Sequence, residues 1–384
     1  MGICFYMNKI IVIGGIHHNT LGVVRSLGKA GLTDNIILLN VSLNDSFVGK
    51  SKYVRKENVY RVQDEKDIVD KVYCIAITQK EKPVIICCGD SFINVIDDAY
   101  DFLAPYCILP TAGEQSRISY FLDKEIQCTL AEKCGLKVPL HFLLRDRNKL
   151  DLTQLPYPCI VKPMNSIVGQ KSDIVICSTK KDLENYLSDK KSYSLHLEEY
   201  IVKTMEFQLI GCSLEQKIII PGYTIIIRQP NNTNTGYLKY LPIQDGVVPV
   251  TLIEKVEKFI REIGYKGLFS VEFIRDAVGN DYFLEINMRN DGNAYCVQCA
   301  GVNLPNIWYK YAANPQAEIK ESVVFERPIY LMPEFNDIRN IFKVGVMQWM
   351  RECFTADTHT IFDKYDLAPF FYALYSKVKR KIVG

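Results

Sequence analysis

The sequence predicts an α/β and α+β chain: a small parallel sheet first, a larger unit of strands and helices after it, and a mostly helical extension at the end. Three observations predict this. Apolar strands and amphipathic helices alternate through residues 8–110, the pattern of a parallel sheet with helical crossovers. Residues 264–290, GYKGLFSVEFIRDAVGNDYFLEINMRN, alternate polar and apolar on both sides of a Gly-containing turn, a hairpin signature. Residues 337–354 are apolar-periodic, and residues 364–384 read as an aromatic helix with a basic tail.

Bulk properties narrow the classes. A chain of 384 residues has room for two or three domains and a sizeable core. The expected division is 1–112, 113–315 (itself 113–192 and 193–315) and 316–384. Lysine and arginine (46) nearly balance aspartate and glutamate (44), so charge makes no case for nucleic acid. No run of about 18 apolar residues predicts a transmembrane helix. The start, MGICFYMNKIIVIGG, goes directly into a strand and lacks the marks of a signal peptide. Thirteen cysteines, an odd number without a metal-type repeat, fit a reducing, cytoplasmic compartment. Cys296 and Cys299 form the one CxxC. It reads as two reduced thiols on a buried helix face, with a zinc or redox role as the alternative.

In chain order, NKIIVIGG is an apolar strand ending in glycines. NTLGVVRSLGKAGL has helical spacing, with Asn19 or Thr20 as cap and Gly31 as stop. NIILLNVS and KPVIICCGD are further strands, each followed by a helix. The first turn, GGIHHNT, departs from GxGxxG, so it is not a dinucleotide fingerprint. Ligands in such sheets gather at the carboxyl ends of strands, where Gly14, Gly15, His17, His18, Gly89, Asp90 and Ser91 lie. His17 and Asp90 are candidate substrate contacts, with loop packing as the alternative.

Asp123 is placed to cap a helix that runs to Lys133, with Gly135 in the position of a C′ glycine. PCIVKP is a strand with Lys162 near its end, and DIVICS is its expected partner. The loop between them holds Ser166 and Gly169 and offers backbone N–H groups to phosphates. It is not a Walker A loop, since no glycine stands five positions before Gly169. LHLEEYI and EFQLIGCS are strands. KIIIPGYTIIIR and YLKYLPI flank a polar loop, with Arg228 before it as a candidate contact for an anionic substrate. VTLIEKVEKFIREI is an amphipathic helix stopped by Gly264.

In the hairpin, residues two apart share a face, so Glu285, Asn287 and Arg289 point one way. Glu272 joins them if the register aligns it with Glu285. Buried like charges need a cation between them, so removing Glu285 should relieve repulsion. Carboxylate and amide oxygens suit Mg²⁺, which keeps positions for water and nucleotide phosphates. The alternative is a solvated face of an edge hairpin.

Glu272, followed thirteen residues later by Glu285-Ile286-Asn287-Met288-Arg289, resembles the metal-binding end of the ATP-grasp superfamily. The resemblance implies a Rossmann-like preATP-grasp domain followed by a two-subdomain ATP-grasp fold. It implies ATP with Mg²⁺ (or Mn²⁺) held by Glu272, Glu285 and Asn287, and Arg289 stabilising the transferred phosphoryl group. DK…GLxVP is similar to the start of the ATP-grasp domain, so Lys124 is implied to reach the ATP phosphates, as is Lys162, which would share the catalytic role of Arg289. The loop with Ser166 and Gly169 takes the place of the family's glycine-rich flap, with a single glycine. LEEYI resembles the adenine hinge, which implies Glu198, Glu199, Tyr200 and Ile201 at the purine, and Glu206 toward the ribose. RNDG followed by AGVNLP is similar to the D-aspartate ligase-like branch. The implied activity is an ATP-dependent carboxylate–amine ligase acting through an acyl phosphate on small molecules, in cell-wall or surface-polymer precursor synthesis. Two alternatives stay open: a carbamoyl- or carboxyphosphate-forming enzyme, and an ATP-binding regulatory subunit without turnover. The oligomeric state stays open, with a homodimer among the expected assemblies. Phe370, Phe371 and Tyr375 beside Lys377, Lys379, Arg380 and Lys381 suggest peripheral membrane contact, with packing of the terminal helix as the alternative.

Overall fold

The computed structural model describes residues 8–144, 155–163, 174–188, 195–229, 235–318 and 327–383. The first sheet holds β1 (Ile10–Gly14), β2 (Ile36–Val41), β3 (Val59–Val62) and β4 (Val84–Cys87), all parallel in the order β3-β2-β1-β4. β1 and β4 are buried along their whole length, as expected where helices cover both faces. Strand order reverses between β1 and β4, so their carboxyl ends open the crevice where such sheets take ligands. The helix His18–Lys29 follows β1, and its cap is His17, whose ring accepts from Asn19 N. The sequence favours Asn19 or Thr20 there, but Asn19 is drawn away by bonds to Cys88 O and Asn290 O.

A second sheet, β5 (His141–Leu144), β6 (Cys159–Pro163), β7 (Val175–Cys177) and β8 (Leu195–Glu199), is antiparallel in the order β5-β8-β6-β7. It has its own small core around Leu144, Val161, Leu183 and Leu197. The helix Lys124–Lys133 precedes it, capped by Asp123 through Glu125 N and Ile126 N, and Gly135 follows at φ 83°, left-handed and therefore suited to glycine.

The third sheet has seven strands: β9 (Met205–Ser213), β10 (Ile218–Arg228), β11 (Tyr237–Pro242), β12 (Gly267–Arg275), β13 (Asp281–Asn287), β14 (Ile329–Met332) and β15 (Thr358–His359). Their order is β13-β12-β9-β10-β11-β14-β15. The amphipathic helix Val250–Ile263 packs Val256, Phe259 and Ile260 into a core that also takes Val271, Phe283 and Ile286 from the hairpin and Ile11 and Ile85 from the first sheet. Pro221 and Gly222 sit inside β10 where its register with β9 shifts, a bulge that tolerates the missing N–H.

The C-terminal extension is helical, with Val346–Thr355 and Ala368–Val383 as its longer helices, and it also adds β14 and β15 to the third sheet. Those two short strands, of which β15 is the edge, carry no clear alternation. The extension is tied, just before its last helix, to the first sheet's helix by Arg25, which donates to Asp366 Oδ2 at 3.0 Å and to the Ile361 and Asp366 carbonyls; Arg25 and Asp366 are fully buried. Phe370 stacks on Phe335, with ring centroids 5.4 Å apart, so that part of the aromatic segment is packing; Phe371 and Tyr375 stay exposed. No helix among the described residues is long and apolar enough to cross a membrane.

Candidate active site

The hairpin register settles which side chains meet. Glu272 pairs directly with Glu285 across β12 and β13, and Glu272 pairs with Gln208 across β12 and β9. Asn287 Nδ2 donates to Glu272 Oε1 at 3.3 Å. Three oxygen-bearing side chains thus stand together on one face. Facing them is Lys124, the first residue of its helix, with Nζ 3.3 Å from Glu285 Oε2. That helix is fixed to the hairpin by Gln127, which accepts from Ile286 N and donates to Ile286 O. Burial opposes ionisation of Glu285, but the Lys124 and Lys162 ammoniums outweigh it and hold its carboxyl below its ordinary range. The cluster is therefore not one of unrelieved repulsion.

Lys162, on β6, donates to Glu198 on the neighbouring β8. Glu198 is buried and also accepts from His196 Nδ1 at 2.9 Å. Burial opposes its charge, and Lys162 and then His196 hold it below the usual carboxylate range. Glu198 therefore turns inward, while Glu199 stays partly exposed on the other side of the strand. Ile201 is buried beside Ile274 and Tyr282. Glu206 shares the face of Gln208 two residues on and pairs with Lys203.

Arg289 reaches the mouth of the first sheet. Its Nε and Nη2 donate to Asp90 at 3.0 and 3.2 Å, its Nη1 to Asp291 Oδ2 at 3.3 Å, and Nη2 also to Asn287 Oδ1 at 3.1 Å. Burial disfavours the guanidinium, yet Asp90 and Asp291 outweigh it and raise its pKa. Asp291 Oδ2 accepts further from Gln208 Nε2 at 2.8 Å and Ser270 Oγ at 3.0 Å. Asn290 N donates to Cys87 O, and the Asn290 and Asn19 side chains bond each other, so the segment after β13 is stitched to the carboxyl ends of β1 and β4. His17 stands close enough for its pKa to be lowered to about 4, by its share of burial and then by Arg289.

The structure thus brings together Lys124, Lys162, Glu198, Glu272, Glu285, Asn287, Arg289, Asp90 and His17. It does not bring Arg228 to them. Arg228 is clamped by Asp337, through Nε and Nη2 at 3.0 and 2.6 Å, and by Glu352 at 2.5 Å, so its donors serve the C-terminal extension and the anionic-substrate expectation does not fit it. Ser166 and Gly169 lie outside the described residues. Asp291, Gln208 and Ser270 escape the sequence reading. Only the register of β9 against β12 would have shown Gln208, and Asp291 stands in the RNDG segment beyond the strand.

Comparison with solved structures decides the fold. An N5-carboxyaminoimidazole synthetase from Staphylococcus aureus, complexed with ADP, superposes with TM-score 0.67 at 18% identity over 88% of this chain and 86% of that one. The chain has the ATP-grasp fold. An L-amino acid ligase from Bacillus licheniformis matches with TM-score 0.61 at 16% identity over 80% and 75% of the two chains. The biotin carboxylase domain dimer of Hydrogenobacter thermophilus 2-oxoglutarate carboxylase, solved with magnesium ADP and bicarbonate, matches with TM-score 0.65 at 17% identity over 84% and 74%. Residues 243–330 match the family described as ATP-grasp in the biosynthetic pathway with Ter operon. That ATP-grasp match takes in the whole hairpin with Glu272, Glu285, Asn287 and Arg289. No curated protein sequence matches the chain.

Proposed function

We propose that this protein is an ATP-dependent carboxylate–amine ligase. The observation that carries the reading is the Glu272, Glu285 and Asn287 oxygen set facing Lys124, Lys162 and Arg289 beside the ligand crevice of the first sheet. An all-oxygen donor set beside cations suited to phosphate fits Mg²⁺ (or Mn²⁺), with Glu272, Glu285 and Asn287 as its holders. The ion would supply charge neutralisation on the phosphates. Lys124 and Lys162 bind those phosphates. Glu198, Glu199 and the Tyr200–Ile201 backbone meet the adenine, and Glu206 the ribose. A substrate carboxylate oxygen attacks the terminal phosphorus of ATP; the bond to ADP breaks and an acyl phosphate forms. Arg289 stabilises the charge on the transferring group, and Asp90 and Asp291 keep its guanidinium aimed. An amine then attacks the acyl carbon, phosphate leaves, and the amide product loses a proton. His17, at the same mouth, is placed toward the acid or amine.

The setting in cell-wall or surface-polymer synthesis, a homodimer and the domain division 1–112, 113–192, 193–315 and 316–384 belong to this proposal. So does contact with a membrane surface, supported by Phe342, Met347 and Phe354, more than four-fifths exposed on the extension.

ADP release measured against a panel of amino acids and dipeptides tests the reading: release that needs one acid and one amine supports it. A second reading, carboxyphosphate chemistry, is supported by likeness to the carboxyaminoimidazole synthetase and the bicarbonate-bound carboxylase. ADP release driven by bicarbonate would select that one.

A further inference from the structure

A second cluster of metal-type donors lies beside the nucleotide site and is not part of it. Cys128 and Glu125 stand three residues apart on the helix Lys124–Lys133, hence on one side of it. His141 and His196 come from neighbouring strands of the second sheet. The β5–β8 register pairs His141 with Glu198 and Leu143 with His196, which puts both histidines on the same face. The Cys128 sulfur and one nitrogen from each imidazole lie within 4.8 Å of one another. Glu125 Oε2 is 3.8 Å from His141 Nε2 and 3.7 Å from His196 Nε2.

The two glutamate–histidine gaps are too long for hydrogen bonds and close to what a tetrahedral ion would span. Ligand bonds of about 2.0–2.3 Å place neighbouring donors about 3.3–3.7 Å apart. His196 is 1% exposed, yet its Nε2 has no hydrogen-bond partner among the described residues, and neither has Glu125 Oε2. Unpaired buried polar atoms are costly, and here they converge on one point. The outer bonds complete the pattern. His196 Nδ1 is held by Glu198 and His141 Nδ1 by the Pro139 carbonyl, so both rings present Nε2 inward, the arrangement that carboxylate and carbonyl partners impose on metal-bound histidine.

We infer that Cys128, His141, His196 and Glu125 form a binding site for a thiophilic divalent metal of the zinc type. One thiolate and one carboxylate balance the ion's charge, and the thiolate–imidazole set selects against Mg²⁺. The inference does not depend on the ligase reading. The site is a cross-link: Cys128 belongs to the main core and the histidines to the sheet with its own small core. Glu198 connects it to Lys162, and Lys124 adjoins Glu125, so the ion fixes the backbone that presents both phosphate-side lysines.

The test uses full-length protein, freed of nucleotide and Mg²⁺ and stripped with chelator, then titrated with Zn²⁺ alone and with Co²⁺ alone. The expected result is one equivalent of Zn²⁺ per chain. Co²⁺ should give the strong visible bands of a tetrahedral site and a thiolate-to-cobalt charge-transfer band. Cys128→Ser should abolish that band, and His196→Gln should weaken Zn²⁺ by about 100-fold or more. Cys299→Ser, at the exposed thiol of the CxxC, should leave the band intact. Circular dichroism checks folding, and His141→Gln, less buried, serves if Cys128→Ser does not fold. Failure of the wild type to bind, a weak octahedral Co²⁺ spectrum, or a charge-transfer band that survives Cys128→Ser or is unchanged in His141→Gln overturns the assignment.

Discussion

Arg289 holds Asp90 through two hydrogen bonds although 199 residues separate them in sequence. The pair joins the end of the hairpin to the carboxyl end of β4, so the Arg289 guanidinium stands at the crevice of the first sheet. Asp291 grips the same guanidinium from the other side. Bonds to Asp90, Asp291 and Asn287 thus fix the direction of the Arg289 guanidinium, the preorganisation that its proposed role requires.

Arg289→Lys keeps the charge and loses the fork that spans Asp90, Asp291 and Asn287. ADP release should fall about 100-fold or more, in line with removal of one preorganised donor, while the far-ultraviolet circular dichroism is unchanged. Turnover within a few-fold of wild type would remove Arg289 from the catalytic role.

Mg²⁺·ATP should raise the melting temperature of the wild type, as any native-state ligand does, and Glu285→Ala should lose that rise together with ADP release. The structure also alters the expectation for the protein alone. Like-charge repulsion with Glu272 suggests that the alanine variant would be as stable or more so. With Lys124 at 3.3 Å from Glu285, the substitution instead leaves a half-buried ammonium without its partner, and the ligand-free variant should be less stable by about 1 kcal/mol. Urea titration of both proteins without ligand measures this; a more stable variant would mean that repulsion dominates.

Much of this site is legible in the sequence because its chemistry sits on strands. Period-two alternation puts Glu285, Asn287 and Arg289 on one face whatever the rest of the fold does. The helix Lys124–Lys133 is marked by Asp123 and Gly135, residue types that suit its two ends. Partners chosen by tertiary packing are not legible. Nothing local shows that Arg228 would meet Asp337 and Glu352, or that His17 would take the cap from Asn19, because those outcomes depend on elements far along the chain. The Cys128, His141 and His196 cluster is hidden for the same reason: its spacing fits no local metal motif, and only the pairing of β5 with β8 assembles it.

Vesicles test the exposed extension. Full-length protein should sediment with anionic vesicles at low salt, and Phe342→Ser with Phe354→Ser should reduce this several-fold, since both rings are more than four-fifths exposed. Equal, negligible sedimentation of both proteins would leave these residues without a membrane role.

Asp366→Ala should be among the most destabilising changes in the chain. It removes the partner of Arg25 in a fully buried pair, and with it the acceptor for Ser51 Oγ at 2.7 Å and Lys52 N at 2.9 Å. An uncompensated buried guanidinium costs about 3–5 kcal/mol. The shift in urea midpoint measures it, and a loss below about 1 kcal/mol would show that the extension contributes little to holding the first sheet's helix.

Stability should decline as the solution is acidified below about pH 6.5, and His18 should account for part of the slope. The His18 ring is 8% exposed, with Nε2 3.3 Å from Thr235 Oγ1 and the His17 ring 3.9 Å away. Burial first, and then His17, push its pKa well below the ordinary 6.5. In the unfolded chain the imidazole takes up a proton near its ordinary pKa; in the folded chain it does so only at much lower pH. Between those two values the unfolded state holds more protons, so acid favours unfolding. The stabilisation is fully present above about pH 6.5 and is lost as the pH falls toward the folded pKa, at up to about 1.4 kcal/mol per pH unit for one proton. Glu198, whose carboxyl is held below its ordinary 4.5, has the same sign, but its contribution is lost only as the pH falls below that value. Urea unfolding at pH 7.5, 6.5 and 5.5 separates the histidines from Glu198; His17, lowered to about 4, contributes with the same sign in the same window as His18. His18→Asn should flatten the slope between pH 6.5 and 5.5 whatever it does to absolute stability, and an identical slope in that variant would assign the acid sensitivity to other groups.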